Sequence, residues 1–150
     1  MKINILEKFL GSGFYSGYIP FAPGTFGSLV ALSIYLIPGM ENPTILLILI
    51  SLFSVLGISI GTKFETIYGK DPKQCTIDEM VGTWITLLFI PKKILLILMA
   101  FIIWRVFDII KPFPANVAEK LNGGFGIMLD DVISAIYALL ISHLIINLIN

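Results

Sequence analysis

Charge is what this chain has least of. Only 13% of its 150 residues are Asp, Glu, Lys or Arg, and ten basic against ten acidic residues leave no net charge. Soluble domains run near a quarter charged. Without a basic excess there is nothing to neutralise a run of phosphates, which excludes a nucleic-acid binder. Cys75 stands alone, so the chain has neither a disulfide framework nor a thiolate zinc site. His143 is also alone; it rules out mechanisms that need two histidines and, among Ile141, Leu144 and Ile145, reads as structural. No GK[ST] follows any glycine loop, so a P-loop nucleotidase is disfavoured. The stretch Gly11-Ser12-Gly13-Phe14-Tyr15-Ser16 lacks the third glycine of a dinucleotide fingerprint. Val81 occupies the position six residues after Cys75 where a cysteine phosphatase loop needs arginine, and no DxDx[TV] motif is present.

What remains is apolar: 57% of the residues, at a mean hydropathy of +0.94. That excludes disorder. A soluble domain of this length has too little interior for so much apolar surface, so an integral membrane protein is the leading class and a soluble all-helical oligomer the alternative. The expected fold is all-α. It comprises one domain (1–150) with about four to five apolar helices, some short or re-entrant. Residues 1–10 read as an amphipathic helix rather than a cleavable signal. Residues 11–28 are glycine-rich, 61–77 and 108–131 polar. Apolar segments fall near 29–37, 44–60, 80–90, 94–107 and 132–149. Only the 44–60 and 132–149 runs approach the ~20 residues of a full crossing, and the 80–90 segment is too short to cross alone. With the N-terminus in the cytoplasm and five crossings, Lys2, Lys8, Lys63, Lys70, Lys73, Arg105, Lys111 and Lys120 lie inside. Only Lys92 and Lys93 lie outside, in keeping with the positive-inside bias.

In such a chain the placement of the acids is informative. Asp78-Glu79, Asp108 and Asp130-Asp131 sit at the ends of apolar segments on the same predicted face. A carboxylate at bilayer depth costs roughly 2.5–3.5 kcal/mol, and several together repel unless a cation joins them. Hard oxygen ligands favour Mg²⁺. Arg105 and Lys111 flank Asp108 at i−3 and i+3, where one can clamp a phosphate and the other act as a point charge. The set fits phosphoryl transfer. Local alternatives exist for each part: a capping box over Thr76–Glu79, an N-cap at Asp130-Asp131, an Arg105–Asp108 helical ion pair and a tight glycine turn at 23–28. A transporter with an acidic ion pathway is the rival function, weakened by the absence of a paired repeat. A structural membrane subunit is a third reading.

Three blocks resemble the phosphatidylglycerophosphatase A family, Mg²⁺-dependent bacterial lipid phosphatases. The first, Pro20-Phe21-Ala22-Pro23-Gly24-Thr25-Phe26-Gly27-Ser28-Leu29, resembles P-x-A-P-G-T-x-G-S-L. The second is Asp71-Pro72 with Asp78-Glu79-Met80-Val81-Gly82. The third is Arg105-Val106-Phe107-Asp108-Ile109-Ile110-Lys111-Pro112-Phe113-Pro114, followed by Gly123-Gly124-Phe125-Gly126-Ile127-Met128-Leu129-Asp130-Asp131. Departures are confined to Cys75-Thr76 and Ser134-Ala135. The resemblance implies an all-helical fold, packed as a compact helical bundle partly sunk in the membrane, and hydrolysis of phosphatidylglycerophosphate to phosphatidylglycerol and phosphate. The expected metal ligands are Asp78, Glu79, Asp108, Asp130 and Asp131. Arg105 and Lys111 are expected on the phosphate, with Asp108 or Asp130 as the base. Thr25, Gly27 and Ser28 would form an anion nest, and the 123–126 loop would approach the site beside Asp130. The expected setting is the bacterial inner membrane, with the site facing the cytoplasm.

Overall fold

A computed structural model describes residues 2–149, and every element among them is helical. A short helix α1 (Ile5–Gly11) and a 3₁₀ turn (Ser16–Tyr18) precede α2 (Pro23–Leu36), α3 (Pro43–Tyr68), α4 (Ile77–Thr86), α5 (Ile94–Ile110), the single turn α6 (Ala115–Ala118) and α7 (Gly123–Ile149).

The helix starts follow local chemistry. Asn4 accepts the Glu7 N–H at 2.8 Å while Glu7 accepts the Asn4 N–H at 3.1 Å, a reciprocal cap on α1. Asn42 caps α3, accepting from Thr44 N at 2.9 Å, and Pro43 takes the first helical position. Gly69, at φ +95°, stops α3.

Two helices are longer than the apolar runs that announce them. α3 continues past residue 60 to Tyr68, because its polar extension still has a core face: Phe64 is fully buried, and Lys63 pairs with Glu7 of α1. α7 begins at Gly123 rather than near Val132. Asp130 and Asp131 therefore lie about two turns inside a helix, not at its cap. The 123–126 glycines form its first turn and serve packing: a Cβ on Gly124 would collide with the Ile58 carbonyl of α3, and a Cβ on Gly61 would lie 3.0 Å from Gly124 Cα. The capping box that was the local alternative at Thr76 is also absent. The Thr76 hydroxyl makes no cap bond and instead meets Ser16 Oγ at 3.3 Å.

α3 and α7 have 26 and 27 residues, roughly 40 Å each at 1.5 Å per residue, enough to cross a ~30 Å hydrocarbon layer. Only 22% and 28% of their most apolar windows are buried within the protein. The rest presents Ile48, Leu52, Val55, Leu140, Leu144 and Leu148 outward, a continuous surface that suits lipid and not water. α4 differs. At ten residues it reaches roughly 15 Å, and every residue in it except Glu79 is buried. It is an internal helix packed by α2, α3, α5 and α7, so the short 80–90 segment is deeply packed rather than spanning. Trp84 of α4 donates its indole N–H to the Ala31 carbonyl of α2 at 3.0 Å and meets Phe53 of α3 edge-on. Trp104 of α5 lies against Gly82, where a side chain would strike its ring.

α2, α4 and α7 run away from one end of the bundle; α3 and α5 run back to it. The far end is marked by Lys92 bound to Glu41 at 2.8 Å, Tyr35 donating to the Ile90 carbonyl at 3.3 Å and His143 Nε2 at 3.0 Å from the Leu88 carbonyl. His143 and both tryptophans are thus packing residues. The near end gathers nearly all remaining charge.

Candidate active site

At the near end, the first turn of α4, the last turn of α5, the third turn of α7 and the start of α2 meet around a cavity of about 480 Å³. Asp78 and Glu79 come from α4 and Asp131 from α7, and each offers an oxygen within 4.8 Å of the others. Asp78 and Asp131 are 6% and 3% exposed. Asp78 Oδ1, Glu79 Oε2 and Asp131 Oδ2 are buried and meet no hydrogen-bond donor. Leaving even one buried carboxylate oxygen without a partner is costly, and three facing one another compound the cost. In α4, which does not span, burial is the main cause that pushes the Asp78 and Glu79 carboxyls above the usual carboxylate range, and for Asp78 the neighbouring Glu79 and Asp131 add to it. A hard divalent cation that takes one oxygen from each carboxylate would offset this cost, so the donor set fits a metal of the Mg²⁺ type.

Arg105 and Asp108, one turn apart on α5, both line the cavity. Arg105 Nη1 donates to Asp108 Oδ2 at 2.8 Å and to Ser28 Oγ at 3.1 Å. Ser28 also accepts the Trp104 indole N–H at 3.3 Å. The local ion pair weighed for Arg105 and Asp108 therefore exists, inside the cavity wall. Arg105 Nε is buried without a partner. Its Nη2 faces Gly24, where a Cβ would lie 3.3 Å away and would run into the Glu79 carboxylate. Only glycine lets the α2 backbone approach this closely.

Lys111 caps α5 in the left-handed region (φ +46°) and lines the cavity as well. Its ammonium donates to Asp130 Oδ2 at 2.6 Å and lies 3.4 Å from Glu119. Burial alone would lower its pKa, but the Asp130 hydrogen bond and the nearby Asp130, Asp131 and Asp71 charges hold it above its ordinary value.

The predicted residues thus divide. Asp78, Glu79, Asp108 and Asp131 share the cavity with Arg105 and Lys111. Asp130 lies outside the trio, engaged with Lys111. Ser28 is fully buried and holds Arg105 instead of facing the cavity. Gly27 packs on Thr76, where a Cβ would lie 2.7 Å from the threonine Cβ. Thr25 is not among the lining residues, whereas Pro23 and Gly24 are. The 23–28 segment is the start of α2, not a turn ahead of it. Asp71 and Lys73 line the cavity without having been singled out as site residues, whereas Gly24 belongs to the 23–28 loop expected to form the anion nest. Asp71 stands inside the recognised blocks, which was the available signal. Lys73 stands outside them and carried none.

The phosphatidylglycerophosphatase A family model matches residues 9–146. The chain belongs to the phosphatidylglycerophosphatase A family. Among curated relatives, a phosphatidylglycerophosphatase A of Haemophilus influenzae is 42% identical over 93% of this chain and 90% of its own length. That of Escherichia coli is 34% identical over 91% and 81%. A Bacteroides thetaiotaomicron protein named "Putative phosphatidylinositol-3-phosphatase" is 38% identical over 92% of both chains. No solved structure matches the chain.

Proposed function

We propose that this protein hydrolyses the terminal phosphomonoester of phosphatidylglycerophosphate, yielding phosphatidylglycerol and inorganic phosphate, with Mg²⁺ as the cofactor. The observation that carries the reading is the carboxylate trio, each with a buried oxygen that meets no donor, in the wall of a cavity that Arg105 and Lys111 also line. Asp78, Glu79 and Asp131 would hold the metal. When bound, it neutralises phosphate charge and favours ionisation of an attacking water. Arg105 presents the guanidinium edge left over from Asp108 and Ser28 to the phosphate oxygens, and Lys111 adds a fixed positive charge kept in place by Asp130. Asp108, on the cavity wall, accepts the proton of the attacking water. Gly24 at the N-terminus of α2 lets backbone N–H groups approach the anion. The lipid-facing helices suit a substrate whose acyl chains stay in the bilayer while the headgroup enters from the near end. By the positive-inside bias that end faces the cytoplasm of a bacterial inner membrane.

An ion pathway fits less well. α2 carries no Asp, Glu, Lys or Arg, and neither do α3 from 44 to 62, α5 from 94 to 104 and α7 after 131. The acids line a blind end rather than a route through the bilayer. The name of the Bacteroides relative favours one second reading, the same hydrolysis on a 3-phosphorylated inositol lipid. The experiment is phosphate release from mixed micelles of each lipid, with Mg²⁺ and with chelator. Metal-dependent release from phosphatidylglycerophosphate at least tenfold faster supports the first reading. Faster release from the inositol lipid supports the second, and release from neither contradicts both.

A further inference from the structure

The cavity has three cations on its wall, and two of them are already engaged. Arg105 is bound to Asp108 and Lys111 to Asp130 and Glu119. Lys73 lines the same cavity but forms no ion pair among the described residues. Its position is nonetheless fixed. Pro72 beside it is buried. Cys75 N–H closes the turn on the Pro72 carbonyl at 2.8 Å, and Thr76 N–H ties the next residue to the Gly11 carbonyl at 2.8 Å. Gly17 packs directly on the Gln74 carbonyl, where a Cβ would collide. A lysine whose backbone is held this firmly, exposed beside the cavity and with no ion-pair partner among the described residues, has a charge free to meet an entering anion.

The size of the cavity says what that is. At ~30 Å³ per water-sized volume, a phosphate group fills on the order of 100 Å³, a minor part of the roughly 480 Å³ present. The remainder leaves room for further headgroup. Lipids whose terminal phosphomonoester sits on a glycerol or inositol headgroup carry a second anion, the phosphodiester that joins headgroup to diacylglycerol. With the monoester on the cations and carboxylates of the floor, the diester falls towards the rim.

We propose that Lys73 is a specificity-determining residue that binds this phosphodiester. The protein thereby prefers lipids with two phosphates over a lipid with a single phosphomonoester, such as phosphatidic acid. The inference rests on the phosphatase reading above but not on which two-phosphate lipid is the natural one. It also rests on this chain's own residue, outside the blocks that carry the family resemblance.

The test measures kcat and KM for phosphatidylglycerophosphate and for phosphatidic acid, in mixed micelles of neutral detergent, with wild type, Lys73→Gln and Lys73→Arg. Wild-type turnover tests the phosphatase reading by itself. For Lys73 the readout is the ratio of the two kcat/KM values. In Lys73→Gln the ratio should fall about tenfold, through KM for the two-phosphate lipid with kcat within about twofold, and Lys73→Arg should restore it to within about threefold. Equal losses on both lipids would mean that Lys73 serves the monoester or attracts anions generally. An unchanged ratio with no loss would mean that it binds neither. Either result overturns the proposal.

Discussion

The two ends of the bundle hold their carboxylates in opposite ways. At the far end Glu41 is exposed, bonded to Lys92 at 2.8 Å and to the Gly39 N–H at 2.8 Å. At the near end Asp78, Glu79 and Asp131 are packed together, and each has a buried oxygen that meets no donor. An exposed pair of this kind contributes little and is screened by salt. A buried trio whose oxygens lack donors opposes folding, and it persists where something outside the chain completes it. Charge that the fold satisfies by itself is structural; charge that it leaves unsatisfied marks the site.

Removing one member of the trio breaks this contrast most sharply. Asp131→Asn should cut metal-dependent phosphate release by about 1000-fold, about 4 kcal/mol of transition-state stabilisation. Without added metal its melting temperature should be equal to or above that of wild type, because one buried negative charge is gone. Release assays paired with thermal scans check both signs, and a destabilised variant would argue that Asp131 is a structural partner instead. Glu79→Gln should behave likewise. Arg105→Lys should reduce kcat by about 100-fold, since an ammonium cannot bridge Asp108 and Ser28 and still present a flat edge to phosphate. Steady-state kinetics of the purified variant decide this. Gly24→Ala should cost about tenfold in kcat/KM with unchanged far-UV dichroism, because the added methyl displaces the Glu79 carboxylate and Arg105. At the other extreme, Lys92→Ala removes the far-end pair and should leave both release and melting temperature within error of wild type.

The same contrast explains what the sequence made legible. Apolar runs and composition disclosed the lipid-facing helices, because burial and lipid exposure both demand apolar residues in long runs, and the family resemblance supplied the all-helical bundle. Helix ends were less visible. α3 and α7 run on through polar residues, and their limits come from Gly69 and Gly123 rather than from hydropathy. That misplacement made Asp130-Asp131 resemble a cap, whereas two helical turns of depth put Asp131 in the trio and Asp130 on Lys111. The clustering of acids in a charge-poor chain pointed to the site, but not to its division of labour. Which carboxylate meets Lys111 and which joins the trio depends on helix rotation, and adjacent residues on α7 point about 100° apart. Ser28 illustrates the same limit: it reads as a phosphate ligand in a glycine-rich loop, yet its burial under Trp104 makes it a support for Arg105.

Binding of the cation itself tests the central claim most directly. Mn²⁺ titrated into the detergent-purified protein, followed by its paramagnetic resonance signal and competed with Mg²⁺, should show saturable binding that Mg²⁺ displaces and that weakens at least 100-fold in both Asp78→Asn and Asp131→Asn. Equal Mn²⁺ affinity in wild type and both variants, or no saturable binding in wild type, would contradict it.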